Sequence, residues 1–370
     1  MIGLAPMEGV TEFPFRRWLS LCSSPGYHST PFLRVTHTYP SSEFPVSFAP
    51  EIFDPDYSDL ETPVVAQLMG PSPSRICEVG SLLLEKTSSF DINFGCPAPT
   101  VVGKGSGSAL LADVDSFNNF VGDVYKNFSA KQFSIKIRTG YENSENYKDI
   151  ISCLKSYNLE KLTIHGRTKS QKYMGLADWS LIEHAAKSLS YPVIGSGDIT
   201  NKDSYKERKE QSPSVSGVIV GRAALKNPWI FSQLEKWETK LALDTILYAL
   251  ATYGIFVDVF FNDGYDKFKA VDNATGQVQK PLKTSEDWES YLRKVGETAF
   301  NLSNFEDFDM SRRALSRIKM IWTYLKELMP SEFQGREILR AKSFKELIEQ
   351  YKVASANYQS SSGRDSVYLN

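Results

Sequence analysis

Apolar residues along the chain gather into short runs separated by longer mixed segments. The runs occupy residues 2–7, 32–35, 64–69, 90–94, 133–137, 162–165, 193–195 and 218–220. Each is short, and a Gly- or Pro-containing loop follows it, which suits a buried strand. Segments between them, such as 75–85 and 147–156, carry helical apolar spacing. Eight β/α units in about 220 residues predict a TIM (β/α)8 barrel. A doubly wound α/β sheet is the alternative. It requires a Gly-rich GxGxxG turn after the first strand, where this chain has Pro6-Met7-Glu8-Gly9.

Beyond residue 231 the pattern changes. Residues 241–300 hold few barrel-like units and two turn-like sites, Asn262-Asp263-Gly264 and Asn273-Ala274-Thr275-Gly276. Residues 311–328 read as helix, with Leu315, Ile318, Trp322 and Leu325 on one face. The expected organisation is a barrel over 1–240, an atypical insertion or linker over 241–300 and a helical domain over 301–352. A mobile Ser/Asn/Gly-rich tail is expected over 353–370. The stretch 241–261 comes nearest to a membrane span, but two Asp residues interrupt it, so none is expected.

Charge narrows the possible partners. The 42 Lys and Arg against 44 Asp and Glu give a net charge of −2. A protein that binds nucleic acid with its whole surface is usually basic. Any such site here is therefore a local patch. Residues 311–352 supply one, with ten basic and five acidic side chains. Arg312, Lys319 and Lys326 recur there every seven residues, though a merely solvated helix face has the same pattern. The four cysteines, Cys22, Cys77, Cys96 and Cys153, form no CxxC or metal-ligand spacing. That usage, with no secretory leader recognisable, leads us to expect reduced thiols, no metal and a cytoplasmic protein.

In a TIM barrel the active site lies at the carboxyl ends of the strands. The polar residues there are Met7-Glu8, Arg34, Gln67, Asn93 with Cys96, Lys136 with Arg138, His165 with Arg167, Ser196 with Asp198, and Gly221-Arg222. The loops Gly195-Ser196-Gly197-Asp198 and Gly221-Arg222 follow strands seven and eight, where barrels often bind phosphate. Their glycines could equally serve only to make tight turns. Lys136, His165 and Gln67 suit the isoalloxazine ring of a flavin, by offsetting negative charge and bonding its polar edge. A solvated lysine and a satisfied core histidine are the ordinary alternatives. Cys96 precedes Pro97 in a loop lining the mouth and could act as a general acid. Most cysteines are instead buried and inert.

Taken in order, these motifs resemble a known family. Ala5-Pro6-Met7-Glu8-Gly9-Val10-Thr11, Gln67-Leu68-Met69-Gly70, Asp91-Ile92-Asn93-Phe94-Gly95-Cys96-Pro97, Gly107-Ser108-Ala109-Leu110-Leu111, Lys136-Ile137-Arg138, His165-Gly166-Arg167-Thr168, Gly195-Ser196-Gly197-Asp198-Ile199 and Gly221-Arg222-Ala223-Ala224-Leu225 are similar to the tRNA-dihydrouridine synthases. The resemblance implies flavin-dependent reduction of a tRNA uridine. Cys96 would then protonate uracil C5, and Asn93 would position the uracil. FMN would be held by Pro6, Met7, Glu8, Gln67, Lys136, His165, Ser196, Gly197, Asp198, Gly221 and Arg222. NADPH is the expected reductant. Arg34, Arg138, Arg167 and Tyr173 would face the RNA or the target base. Arg317, Lys319, Tyr324 and Arg336 would grip tRNA from the helical domain. A monomer is expected.

Two positions depart from the family. Ser196 stands where Asn is usual, and Pro31 where a Glu is common. The segment Phe32-Leu33-Arg34-Val35-Thr36, with Pro50-Glu51-Ile52, looks most like the bacterial C-type branch, which acts at D-loop position 16. Two other readings remain open at this point. One is an FMN barrel oxidoreductase acting on a free small molecule. The other is a non-catalytic tRNA-binding protein.

Overall fold

The computed structural model describes residues 1–39, 46–57, 62–235, 240–278, 280–302 and 304–369. Eight parallel strands form one sheet: β1 (Ile2–Leu4), β2 (His28–Arg34), β3 (Val64–Met69), β4 (Phe90–Phe94), β5 (Phe133–Arg138), β6 (Leu162–His165), β7 (Val193–Ser196) and β8 (Gly217–Val220). Their order, β1-β8-β7-β6-β5-β4-β3-β2, closes into a barrel through a parallel bridge from Gly3 to Tyr27. Leu4 N donates to Tyr27 O at 2.9 Å and Gly26 N to Ile2 O at 2.7 Å across that seam. A Cβ at Gly3 would fall 2.4 Å from the Tyr27 ring, so the closure requires glycine. Ala5, Tyr27, Ile194 and Ile219 form a buried cluster beside it.

The second strand begins four residues before the apolar run that announces it. His28, Ser29 and Thr30 are polar but buried. The register between β2 and β3 shifts between Ser29 and Phe32, a span that contains Pro31. Proline has no N–H for the ladder and is tolerated in strands chiefly at such irregularities. Thr30 Oγ1 accepts the Gln67 backbone N–H at 3.0 Å there.

The chain divides into two compact units, residues 1–12 with 26–221, and residues 13–25 with 222–370. This departs from the expected boundary at 240. The helix Phe13–Cys22 packs with the second unit because its large side chains find partners there. Trp18 Nε1 donates to Ala249 O at 2.7 Å, and its ring lies 4.8 Å from that of Tyr253. Arg17 Nε donates to both oxygens of Asp272, at 3.0 and 2.9 Å, and Arg17 Nη1 donates to Val278 O.

Residues 241–300, expected as an insertion or linker, instead supply three helices, Leu243–Asp258, Tyr265–Ala274 and Ser285–Phe300. Of the helix stretch Leu243–Asp263, which is apolar and long enough to cross a membrane, 83% of the most apolar window is buried within the protein. It is a core helix. The expected mobile tail is also ordered. A helix runs Phe344–Ser362, and the strand Ser366–Tyr368 pairs antiparallel with Lys240–Ala242, burying Val367 and Leu369. Asn370 lies outside the described residues.

The Arg17 and Asp272 side chains are 2% and 0% exposed. Removing one partner of such a pair leaves a buried charge uncompensated. Asp272→Ala should therefore lose roughly 3–5 kcal/mol of unfolding free energy in urea titrations. The double change Arg17→Met/Asp272→Leu should recover most of that loss. A loss below about 1 kcal/mol would mean that the pair contributes no more than a surface one.

Candidate active site

Strand register brings the polar ends of β3 to β7 level with one another. Gln67 lies opposite Asp91, Asn93 opposite Lys136, Arg138 opposite His165, and His165 opposite Ser196. The sequence alternates side chains along each strand, so these residues share the barrel's interior end.

A chain of buried hydrogen bonds starts from Asp91. Ser134 Oγ donates to Asp91 Oδ1 at 2.5 Å, and Gln67 Nε2 donates to Oδ2 at 2.6 Å. Asn93 Nδ2 donates to Gln67 Oε1 at 2.7 Å. Asn93 Oδ1 then accepts from the backbone N–H groups of Gly95 at 2.8 Å and Cys96 at 3.0 Å. The Cys96 carbonyl is gripped in turn by Ser108 N at 3.2 Å and Ser108 Oγ at 2.8 Å. Gly107 sits beside it at φ 58°, where a Cβ would come within 3.0 Å of that carbonyl. Burial pushes the Asp91 carboxyl up, while its bonds from Ser134 and Gln67 act in the opposite direction.

Cys96 is half-buried at the barrel mouth. Burial raises its thiol pKa above the ordinary value. A backbone bond from Ala98 opposes this, Glu8 adds to it, and Lys136 and Arg34 oppose it. The thiol therefore keeps its proton near neutral pH, which suits a proton donor rather than a thiolate nucleophile.

Two residues expected to touch ligand, Gln67 and Asn93, are also members of this frame. The Gln67 amide lies between Asp91 and Asn93 with 1% exposure, and the Asn93 amide holds the Cys96 loop. Each amide nitrogen spends one of its two N–H groups on these bonds. Sequence reasoning assigned no role to Asp91, Ser134 or Ser108. The signal available was a carboxylate between two apolar residues of a buried strand.

Arg138 and Arg167, expected to face RNA, are each 3% exposed. Arg138 Nε donates to Gly95 O at 2.8 Å, and its Nη1 donates to the carbonyls of Thr168 at 3.0 Å and Lys172 at 2.9 Å. Arg167 Nη2 donates to Gly175 O at 2.6 Å and pairs with Asp198 at 2.5 Å. The Arg167 Nε also reaches Met174 O at 3.2 Å. Loop carbonyls with no sheet partner draw both guanidinium groups inward. Asp198, expected at the cofactor, is bound by Arg167 and by the Ala177 N–H at 2.6 Å.

The remaining rim residues are more open. Glu8 and Arg34 form an ion pair at 2.7 Å, each more than 40% exposed. Met7 N and O both bond Thr11 Oγ1, which shapes the loop containing Pro6. His165 Nε2 lies 3.3 Å from Arg167 Nη1, and its ring is 6.4 Å from that of Tyr173. Gly197 has φ 122°, where a Cβ would meet that of Ala177 at 2.6 Å. Gly221 is bordered by Ala5 and the Met7 sulfur.

Among the described residues, no hydrogen-bond or ion-pair partner is found for the Lys136 ammonium or the Ser196 hydroxyl. Burial first, and Arg138 second, push the Lys136 pKa down to about 8. An unpaired cation, a free hydroxyl and a glycine-lined cradle fit a flavin with its phosphate. Among the described residues no group of three His, Cys, Asp or Glu side chains could hold a metal ion.

In the second unit, Arg222 opens the short helix Ala223–Lys226. The helix Arg312–Leu325 carries the half-buried Arg317, Lys319 and Tyr324, and Arg336 is exposed. The Lys319 ammonium donates to the Ala341 carbonyl, so it is partly engaged within the protein. Arg312 is exposed, with no side-chain partner among the described residues.

The fold is a parallel (β/α)8 barrel whose polar side chains gather at the carboxyl ends of its strands. A family model described as dihydrouridine synthase (Dus) matches residues 3–309. The chain belongs to the dihydrouridine synthase family. It is 34% identical over 245 residues to a probable tRNA-dihydrouridine synthase of Helicobacter pylori, covering 62% of this chain and 74% of that protein. It is 32% identical over 243 residues to tRNA-dihydrouridine synthase B of Pasteurella multocida, covering 63% and 68%. It is 29% identical over 256 residues to tRNA-dihydrouridine(16) synthase of Haemophilus ducreyi, covering 68% and 78%.

The Lys136 environment has a measurable consequence. Folding lowers its pKa from 10.5 to about 8, so the unfolded chain binds more protons between those values. Stability of the flavin-free protein should therefore gain from this group as pH rises through that window. Lys136→Met should be more stable than the native chain at neutral pH, with the gap closing toward pH 10.5 in thermal melts. A gap constant with pH would mean that Lys136 titrates as an ordinary lysine.

Proposed function

We propose that this protein reduces one uridine of transfer RNA to 5,6-dihydrouridine, with FMN as its resident cofactor and NADPH as reductant. The observation that carries the reading is Cys96, a half-buried thiol whose loop is fixed through Asn93 and Ser108 at the barrel mouth. Family membership and the names of the matched relatives support it. Position 16 of the D-loop is the proposed target, on the C-type resemblance and the name of the Haemophilus ducreyi relative.

FMN, when bound and reduced, supplies a hydride to uracil C6. The rim set of Pro6, Met7, Glu8, Lys136, His165, Ser196, Gly197, Gly221 and Arg222 would hold it, with Gln67 and Asp198 bracing the set from behind. Lys136 places a cation where negative charge must be offset. Electron density then moves toward C5 and O4 of the base. The Cys96 S–H bond breaks as its proton forms the new C5–H bond, and the thiolate regains a proton from water. Asn93 contributes by holding the Cys96 loop. Tyr173 and Arg34 lie exposed on the rim, where the base and its neighbours would arrive. Arg312, Arg317, Tyr324 and Arg336 would contact tRNA from the helical unit.

Cys96→Ala should keep the FMN absorbance spectrum and reduce tRNA about 10²–10⁴-fold more slowly in single-turnover assays. Unchanged turnover would remove Cys96 from the mechanism. Arg312→Glu should weaken tRNA binding and lower the slope of log K against log salt by about one. An unaltered slope would place the RNA contact elsewhere.

A further inference from the structure

The loop after β6 holds three large apolar side chains in the open. Tyr173 is 54% exposed, Met174 76% and Leu176 77%. Single exposed apolar residues are ordinary, but a cluster marks a contact surface. The loop is also firmly braced. Arg138 and Arg167 donate to the carbonyls of Thr168, Lys172, Met174 and Gly175. Thr168 N bonds Gln171 Oε1 at 2.8 Å, and Met174 N bonds Gln171 O at 2.7 Å. Lys172 at φ 49° and Gly175 at φ 67° make the turns that bracket Met174.

Arg138 also holds Gly95, the neighbour of Cys96. The apolar tip is thus tied to the proton donor through one buried guanidinium. The Tyr173 ring lies 6.4 Å from that of His165 and 5.9 Å from the Arg138 guanidinium, on the site side of the tip. Residues 167–176 contain Arg167, Lys169 and Lys172 and no carboxylate. Lys172 is exposed, with no side-chain partner among the described residues. Arg167 is paired with Asp198 and Lys169 with Glu142, which leaves the Lys172 ammonium beside the apolar tip, a combination complementary to a polyanion that presents stackable faces.

We propose that Met174 and Leu176 form a wedge that enters the RNA stack beside the target uridine and fills the space the base leaves. The inference rests on the reductase reading above. A uracil within a stacked loop hides C5 and C6, so it must leave the stack before Cys96 can reach it. Met and Leu are among the side chains that proteins insert between bases for this purpose. The wedge lowers the cost of extrusion, and Tyr173 and Cys96 meet the extruded base.

The test compares the native chain with Met174→Ser/Leu176→Ser on two substrates. One is folded tRNA. The other is a short single-stranded fragment carrying the same uridine already unstacked. The double variant should be at least about tenfold slower on folded tRNA and within about twofold of the native chain on the fragment. No slowing on folded tRNA, or equal slowing on both, overturns the wedge. A benzophenone amino acid at position 176 supplies a readout that needs no turnover. It should cross-link to D-arm nucleotides of bound tRNA, and a chain that binds tRNA without that cross-link overturns the wedge. Cross-linking by the benzophenone variant, with a native chain that binds tRNA but reduces neither RNA, overturns the reductase reading alone. A chain that does not bind tRNA overturns both.

Discussion

Asp91 is a carboxylate that folding removes from water, and the barrel mouth is organised around satisfying it. Its two oxygens take Ser134 and Gln67, Gln67 takes Asn93, and Asn93 takes the backbone of the Cys96 loop. Each member is bonded on both sides, so loss of any one leaves a buried polar group unpaired. Such a loss costs roughly 1–3 kcal/mol. The placement of the thiol is therefore tied to the stability of the fold. A site built on strands and locked in this way holds its geometry better than one left to loops.

The same economy governs the outer rim. Arg138 and Arg167 use their forked donors to satisfy loop carbonyls from two β/α connections and the Asp198 carboxylate from a third. Arginine suits this task because its donors diverge in one plane and its charge persists at any physiological pH. The rim is thus rigid where it holds Cys96. Its exposed groups, Tyr173, Met174, Leu176 and Arg34, are presented from a fixed frame.

Much of the barrel was legible in the sequence. Parallel strands buried on both faces read as continuous apolar runs, and all eight runs became strands. The start of β2 was hidden because His28, Ser29 and Thr30 are polar and the strand is bulged at Pro31. The helix Leu243–Asp258 was missed because 14 of its 16 residues are buried, which erases the amphipathic period. The C-terminal strand was missed because Val367 and Leu369 are buried only through pairing with a segment more than a hundred residues earlier. For the site, residue types at strand ends were legible from the barrel pattern. Their partners were not, since whether Arg138 reaches solvent or the Gly95 carbonyl depends on how separate loops meet.

The most direct test of this account is chemical. The purified flavoprotein would be incubated with NADPH and an unmodified tRNA transcript, and each nucleotide's mass mapped. The account predicts a gain of two hydrogens at a single D-loop uridine, with free uridine left unreduced. Free uridine reduced as readily as tRNA, or no tRNA product from protein that holds FMN, would contradict it.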